Sequence, residues 1–199
     1  MPVTINGNGS ITGLSAGGLP AGSVTDATIA GMAASKLSGA LPSISGASLT
    51  GLSSGLDFAL WRINTGWSGG ADPIQNFTEQ NHNVDMGYSS GIFSFPSTGF
   101  WFIEFQTYMY YNGDQDNIEL HLLTTTNNSS YATRAQSYTH MNNDDGGNLY
   151  STNRVSHIMD VSDTSNQKVK FKTAGTSANF HASSSSNESY ATFWRLGDT

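Results

Sequence analysis

Large apolar side chains recur at every second position across Phe100–Tyr111, which predicts a β-strand. The residues at odd positions, from Trp101 to Tyr111, are large and mainly apolar, so we expect them to face the core. The opposite face is aromatic at both ends and polar in the middle, which is unusual for a face in contact with solvent. The aromatic residues of this second face are Phe100, Phe102, Tyr108 and Tyr110.

Shorter segments with the same alternation follow, beginning near Ile118, Arg154, Lys168 and Tyr190. Turns rich in Asn, Asp, Ser and Gly separate them, and no long amphipathic helix interrupts the series. In one segment the lysines at 168, 170 and 172 share a face, which favours either a solvated face or a protected sheet edge. The pattern predicts an all-β fold, an antiparallel jelly-roll sandwich.

The first 57 residues follow a different pattern. They contain no Phe, Tyr or Trp, half of the chain's 22 glycines, and three charged residues, Asp26, Lys36 and Asp57. Aromatic side chains supply much of the buried area of a core, so this stretch has little from which to build one. We expect two parts: an extended Gly/Ser/Ala-rich arm over residues 1–57 and a compact domain over residues 58–199.

The arm contains an internal repeat, since Ser10–Gly17 (SITGLSAG) recurs as Ser48–Gly55 (SLTGLSSG). Repetition of small units is typical of elongated architectures. A flexible Gly/Ser linker is the alternative, but the regularly spaced Ile, Leu and Val residues argue against it. Between the repeats, Ala27–Leu37 predicts one short helix with Asp26 as N-cap, and such a helix needs a partner surface to be stable.

Sequence motifs for catalysis or cofactor binding are absent. The chain has no Cys, and its five His residues lack metal-ligand spacing, so we expect no enzyme, no cofactor and no metal site. Two oxygen-rich segments, Asp114–Asn117 and Asn143–Asn148, could hold calcium, but hairpin turns also explain their composition. The net charge of -7 argues against nucleic-acid binding. Neither a signal peptide nor a membrane span is visible, so we expect no membrane insertion.

Two segments of the compact domain resemble strands of the C1q/tumour-necrosis-factor superfamily. Phe93–Phe102 (FSFPSTGFWF) is similar to a family strand in which Phe and Pro precede Gly and alternating aromatics. Tyr190–Leu196 (YATFWRL) is similar to the family's closing strand. The resemblance covers roughly residues 58–199 and implies a jelly roll that forms homotrimers, often behind a thin stalk, with the closing strand in the trimer core. The candidate interface residues are Phe100, Phe102, Tyr108 and Tyr110.

The sequence of the arm from Gly18 to Ala30, and again at Ala34–Leu37, resembles repeats of bacteriophage fibre and appendage proteins. The resulting hypothesis is a bacteriophage structural protein located in the virion: a homotrimeric tail fibre or spike. Its arm would bind other virion proteins and its C-terminal knob would contact the host, with a surface glycan as the candidate ligand. A capsid decoration (cement) protein or head fibre is the alternative, followed by a carbohydrate-binding module.

Overall fold

The computed structural model describes Thr4–Ile5, Ile11–Thr12, residues 56–144 and residues 146–199. The chain divides into two compact units, Met1–Leu52 and Ser53–Thr199. In the first unit, strand β1 (Thr4–Ile5) pairs antiparallel with strand β2 (Ile11–Thr12). The second copy of the repeat and the predicted helix at Ala27–Leu37 lie outside the described residues, as does most of the first copy.

The second unit is an antiparallel sandwich of two sheets, and its described residues contain no helix. The all-β prediction is therefore confirmed. The five-stranded sheet contains β6 (Gly87–Ser89), β7 (Ile92–Ser94), β9 (Gln115–Thr125), β10 (Ala132–Met141) and β12 (Lys168–Ala174), in the order β10-β9-β12-β7-β6. The seven-stranded sheet contains β3 (Phe58–Ile63), β4 (Trp67–Ser68), β5 (Phe77–His82), β8 (Gly99–Tyr111), β11 (Leu149–Val161), β13 (Asn179–Phe180) and β14 (Tyr190–Gly197).

Strand β8 organises the seven-stranded sheet. It pairs along its whole length with β11 on one side, and with β14 and then β13 on the other. Beyond β14 follow β3 and β5. The predicted core face of β8 is confirmed from Trp101 to Met109, since every second side chain in this range is fully buried. Tyr111, at the end of the strand, is only half-buried.

The core between the two sheets is built mainly from aromatic rings. Phe105 of β8 stacks on Phe171 of β12, with ring centroids 4.5 Å apart. Phe93 of β7 lies 4.9 Å from Phe193 of β14 and 5.0 Å from Phe77 of β5. Such aromatic pairs add about 0.5–1.5 kcal/mol each beyond the area they bury. Both sheets thus contribute rings to one continuous core, which fixes how they stack.

A glycine explains part of the motif in Phe93–Phe102. Gly99 has a φ of 137°, a backbone conformation that residues with a side chain rarely adopt. A Cβ at this position would lie 2.5 Å from the carbonyl oxygen of Gly197 on β14. Glycine therefore allows β14 to approach the start of β8, where Gly197 pairs with Phe100.

The lysine row of β12 is not at a sheet edge, so that alternative of the sequence analysis is wrong. β12 lies between β9 and β7. Its lysines are half-buried, and two of them share a carboxylate: Lys170 Nζ lies 2.5 Å from Asp72 Oδ1, and Lys172 Nζ lies 3.7 Å from Asp72 Oδ2. Asp72 supplies the opposite charge for Lys170 and Lys172, which helps a central strand of the sheet to accommodate these two lysines.

Candidate functional site

Four neighbouring strands of the seven-stranded sheet place large apolar side chains in one line on the outer face. Trp194 of β14 pairs with Phe58 of β3 on one side and with Phe102 of β8 on the other. Ile158 of β11 lies opposite Phe102. The Phe58 and Trp194 rings stack with centroids 5.3 Å apart. We call these four residues the apolar row.

The apolar row is unusually accessible for residues of this size. Ile158 is 53% exposed and Trp194 is 37% exposed. Phe100 and Leu196, at the same end of the sheet, are also exposed. A contiguous apolar patch on one side of a folded domain marks a surface that binds another protein or a ligand.

The opposite end of the same face carries a tyrosine cluster. The Tyr108 and Tyr150 rings stack with centroids 5.8 Å apart, and Tyr110 lies 5.9 Å from Tyr150. The His181 ring is 5.5 Å from Tyr108 and 5.3 Å from Tyr110, and its Nδ1 lies 2.9 Å from Glu188 Oε2. These rings combine a large apolar area with polar groups, as is common at protein interfaces.

A polar band separates the apolar row from the tyrosine cluster. Arg154 of β11 reaches across to β8, where its Nη2 donates to Gln106 Oε1 at 2.5 Å and its Nη1 lies 3.7 Å from Glu104 Oε2. The charges of this band therefore have partners in the same chain. A second protein could cover the band without burying an unpaired charge, which would be costly.

All four interface candidates from the sequence lie on this outer face, which we call the aromatic face. Phe100 and Phe102 stand at the end with the apolar row, and Tyr108 and Tyr110 belong to the tyrosine cluster. Sequence reasoning missed the partners of these residues on neighbouring strands. The sequence did contain a sign of them: on β3, β11 and β14 these residues occupy the positions that alternate with the core residues. These missed residues are Phe58, Tyr150, Ile158, Trp194 and Leu196.

No family model and no curated protein matches the sequence. Solved structures are similar in fold. The crystal structure of murine APRIL at pH 5.0 has a TM-score of 0.56 and 10% identity, and the match covers 71% of this chain and 100% of that chain. The Eiger TNF of S. frugiperda has a TM-score of 0.57 and 13% identity, with coverage of 72% and 94%. The compact domain is a TNF-like jelly roll. The fold implied by the sequence resemblance is thereby confirmed.

The two oxygen-rich turns of the TNF-like domain bind each other. The Asn143 backbone N–H donates to Asp114 Oδ1 at 2.7 Å, and the Asn143 side-chain amide donates to Gly147 O at 2.7 Å. In return, the Gly146 N–H donates to Asn143 Oδ1 at 2.9 Å. The first of these bonds joins the two turns, and the other two close the turn around Asn143. Oxygens of Asp114, Asn143 and Gly147 that could face calcium are therefore engaged in hydrogen bonds, which favours the structural interpretation of these turns.

One group of possible metal ligands occurs among the described residues, Glu79, His82 and Asp85. His82 Nδ1 lies 3.6 Å from Glu79 Oε1, and His82 Nε2 lies 3.3 Å from Asp85 Oδ1. Both ring nitrogens thus face a carboxylate within the chain, and Asp85 is almost fully exposed. We interpret the group as a cluster of polar contacts at the surface. In the described part of the chain, no helix is long and apolar enough to cross a membrane.

Proposed function

We propose that this protein is a structural component of a bacteriophage virion whose TNF-like domain assembles as a homotrimer through the aromatic face. The apolar row of Phe58, Phe102, Ile158 and Trp194, of which Ile158 and Trp194 are exposed, is the observation that carries the proposal. At about 25 cal/mol per Å² of apolar surface, covering such side chains would stabilise an assembly by several kcal/mol. In this proposal the domain has a structural role and no catalytic one.

A long sheet edge next to the apolar row supports the same assembly. Strand β11 (Leu149–Val161) is 13 residues long, and among the described strands it pairs only with β8. A sheet edge of this length can pair with another chain unless another element covers it. Here β10 of the same chain lies beside part of the edge, where the Asn153 side chain donates to Ser137 O at 3.3 Å. In a ring of three copies each subunit can cover its neighbour's edge, and the ring closes after the third copy. The similarity to TNF-type structures concerns the fold, and a trimer of this kind is compatible with that fold.

The virion role rests on the arm. Its repetitive sequence resembles repeats of phage fibre and appendage proteins. Its small residues suit a thin segment that lies along other virion proteins. A tail fibre or spike with the domain contacting a host-surface glycan is the leading form of the proposal. A capsid decoration protein or head fibre is the alternative, because a 57-residue arm could also lie on a capsid.

Light scattering of the full chain tests the trimer, and we expect three times the mass of one chain at micromolar concentration. A folded monomer under these conditions would overturn the trimer. For the virion role, an antibody against the TNF-like domain should label purified particles of the virus that encodes the chain. Label at the tail would support the fibre, label on the head would support decoration, and unlabelled particles would reject both.

A further inference from the structure

The five-stranded sheet carries a groove of about 490 Å³ at its β6–β7 edge. This volume lies within the range of about 300–1,000 Å³ that is common for small-ligand sites. The groove is on the other sheet from the aromatic face, so a trimer formed through that face leaves it open. Its lining residues are Tyr88, Ser89, Ser90, Ile92, Ser94, Asn128 and Lys168.

Backbone geometry shapes the groove. Ser90 and Gly91 have φ values of 50° and 83°, as expected for a tight two-residue hairpin turn between β6 and β7. Gly87 lies opposite Ser94, and a Cβ on Gly87 would come within 2.2 Å of Ser94 Oγ. Asn128 is held at a φ of 56°, with its N–H donating to Asn166 O at 3.0 Å. The walls are thus fixed by turns, and the missing side chain of Gly87 leaves room for the serine hydroxyl.

The polar groups that line the groove are free to bind a ligand. The hydroxyls of Ser89, Ser90 and Ser94 and the side-chain amide of Asn128 form no hydrogen bond with other described residues. By contrast, the serine turn near the C-terminus satisfies itself, since Ser186 Oγ donates to Ser183 Oγ at 2.9 Å. Four uncommitted donors and acceptors on one concave surface suit a ligand that carries several hydroxyl groups.

Lys168 is the cationic residue that lines the groove, and it differs from the other lysines of β12. No carboxylate of the described residues lies within ion-pair distance of it, whereas Lys170 and Lys172 share Asp72. Among the described residues its ammonium group has one hydrogen-bond partner, Thr164 O at 3.4 Å. Hydrogen bonds from Asn166 and Ser165 lower the pKa of the nearby Asp163 carboxyl, and the charge of Lys168 contributes to that shift. Because the chain carries a net charge of -7, the molecule as a whole repels anions. An anion that binds here must therefore be held by local contacts.

We infer that this groove binds a carboxylated saccharide, with Lys168 facing the carboxylate and the serine and asparagine side chains binding the sugar hydroxyls. Ile92 adds apolar surface of the kind that packs against the C–H face of a sugar ring. Tyr88 forms part of the groove wall, and its ring packs on Trp61 and Phe93 of the core. The inference rests on the proposed function in one respect: the host surface would be the source of the saccharide. The binding chemistry rests on the groove itself.

Calorimetric titration of the full chain with digalacturonic acid tests the inference. We expect saturable binding at millimolar concentration, and we expect Lys168→Met to weaken it about tenfold or more. Lys172→Met is the matched control: it removes the same charge from the same strand outside the groove, so affinity should be unchanged. The methyl ester of the probe should bind wild type as weakly as the acid binds Lys168→Met. Ser94→Ala, which removes one hydroxyl from the groove, should weaken binding several-fold.

The inference is overturned if wild type does not bind the acid, or if Lys168→Met and Lys172→Met lose affinity equally. Equal loss would mean that only general charge is sensed. Circular dichroism of each variant verifies that the fold is retained. The titration is independent of the oligomer test: a monomer that binds the acid rejects the trimer and keeps the groove, and a trimer that fails to bind does the reverse.

Discussion

The outer faces of the two sheets differ, although their inner faces share one aromatic core. On the seven-stranded sheet, the aromatic face exposes Trp194 and Ile158 without cover. On the five-stranded sheet, Glu119 accepts from His121 Nε2 at 2.7 Å, and Lys170 pairs with Asp72. The His121 contact, followed by a hydrogen bond from Asn117, lowers the pKa of Glu119. The first face is thus apolar and suited to contact with protein, whereas the second carries charged groups, most of them paired, and is suited to water.

The largest effect, a change in oligomeric state, should come from placing a charge on the outer face of each sheet in turn. Ile158 and Tyr138 form a matched pair, because they are 53% and 55% exposed and lie on the outer faces of β11 and β10. We expect Ile158→Lys to convert the trimer into a monomer, since the lysine would be buried in the interface without a partner. Tyr138→Lys should leave the mass unchanged.

Light scattering of both variants across the micromolar range provides the measurement, and thermal unfolding verifies that each subunit is folded. If Ile158→Lys stays a trimer while Tyr138→Lys dissociates, the two faces have been assigned the wrong way round. If neither variant dissociates, the trimer is held elsewhere.

A smaller effect, on the stability of the subunit, should follow from removing the Asp72 carboxylate that pairs with both Lys170 and Lys172. Lys170 has a side-chain exposure of only 15%, so Asp72→Asn leaves a half-buried ammonium without its carboxylate. We expect a loss of about 1–3 kcal/mol in the free energy of unfolding. Urea denaturation measures it. Asp198→Asn is the control: its carboxylate pairs with Arg195 but is 91% exposed, and the midpoint should not move. Equal effects would show that burial of the lysine row contributes nothing.

The smallest effect concerns pH, at the edge where the two sheets meet. Burial, reinforced by the charge of Arg134, lowers the pKa of His157 on β11. The unfolded chain takes up a proton at this residue near pH 6.5, whereas the folded chain takes it up only at lower pH. The contribution of neutral His157 to the free energy of unfolding is therefore fully present above about pH 6.5, and it is lost as the pH drops below that value.

His157→Gln should reduce this dependence, because glutamine does not titrate. Urea midpoints of wild type and variant at several pH values between about 7.5 and 5 provide the measurement. The variant should lose less stability than wild type on acidification. Parallel curves for the two proteins would contradict the prediction.

The sequence was sufficient to predict the faces of single strands. Alternation along β8 identified both the buried row from Trp101 to Met109 and the aromatic residues opposite it, because strand geometry is local. Which residues lie beside them depends on register, so Ile158 and Trp194 could not be placed next to Phe102 without the fold. The lysine row was assigned two interpretations for the same reason: Asp72, which pairs with Lys170 and Lys172, lies 98 residues before Lys170. The extended form of the arm and its short helix remain predictions.

The position of the groove has a consequence for how tightly a particle could adhere. A trimer assembled through the aromatic face would present three grooves, all on the sheets that face away from the contact. Each groove alone would bind a sugar weakly, but once the first is occupied the others bind at a high effective concentration. Adhesion would then depend steeply on how densely a surface displays the saccharide, so that a richly coated cell is bound firmly and a sparsely coated one is released.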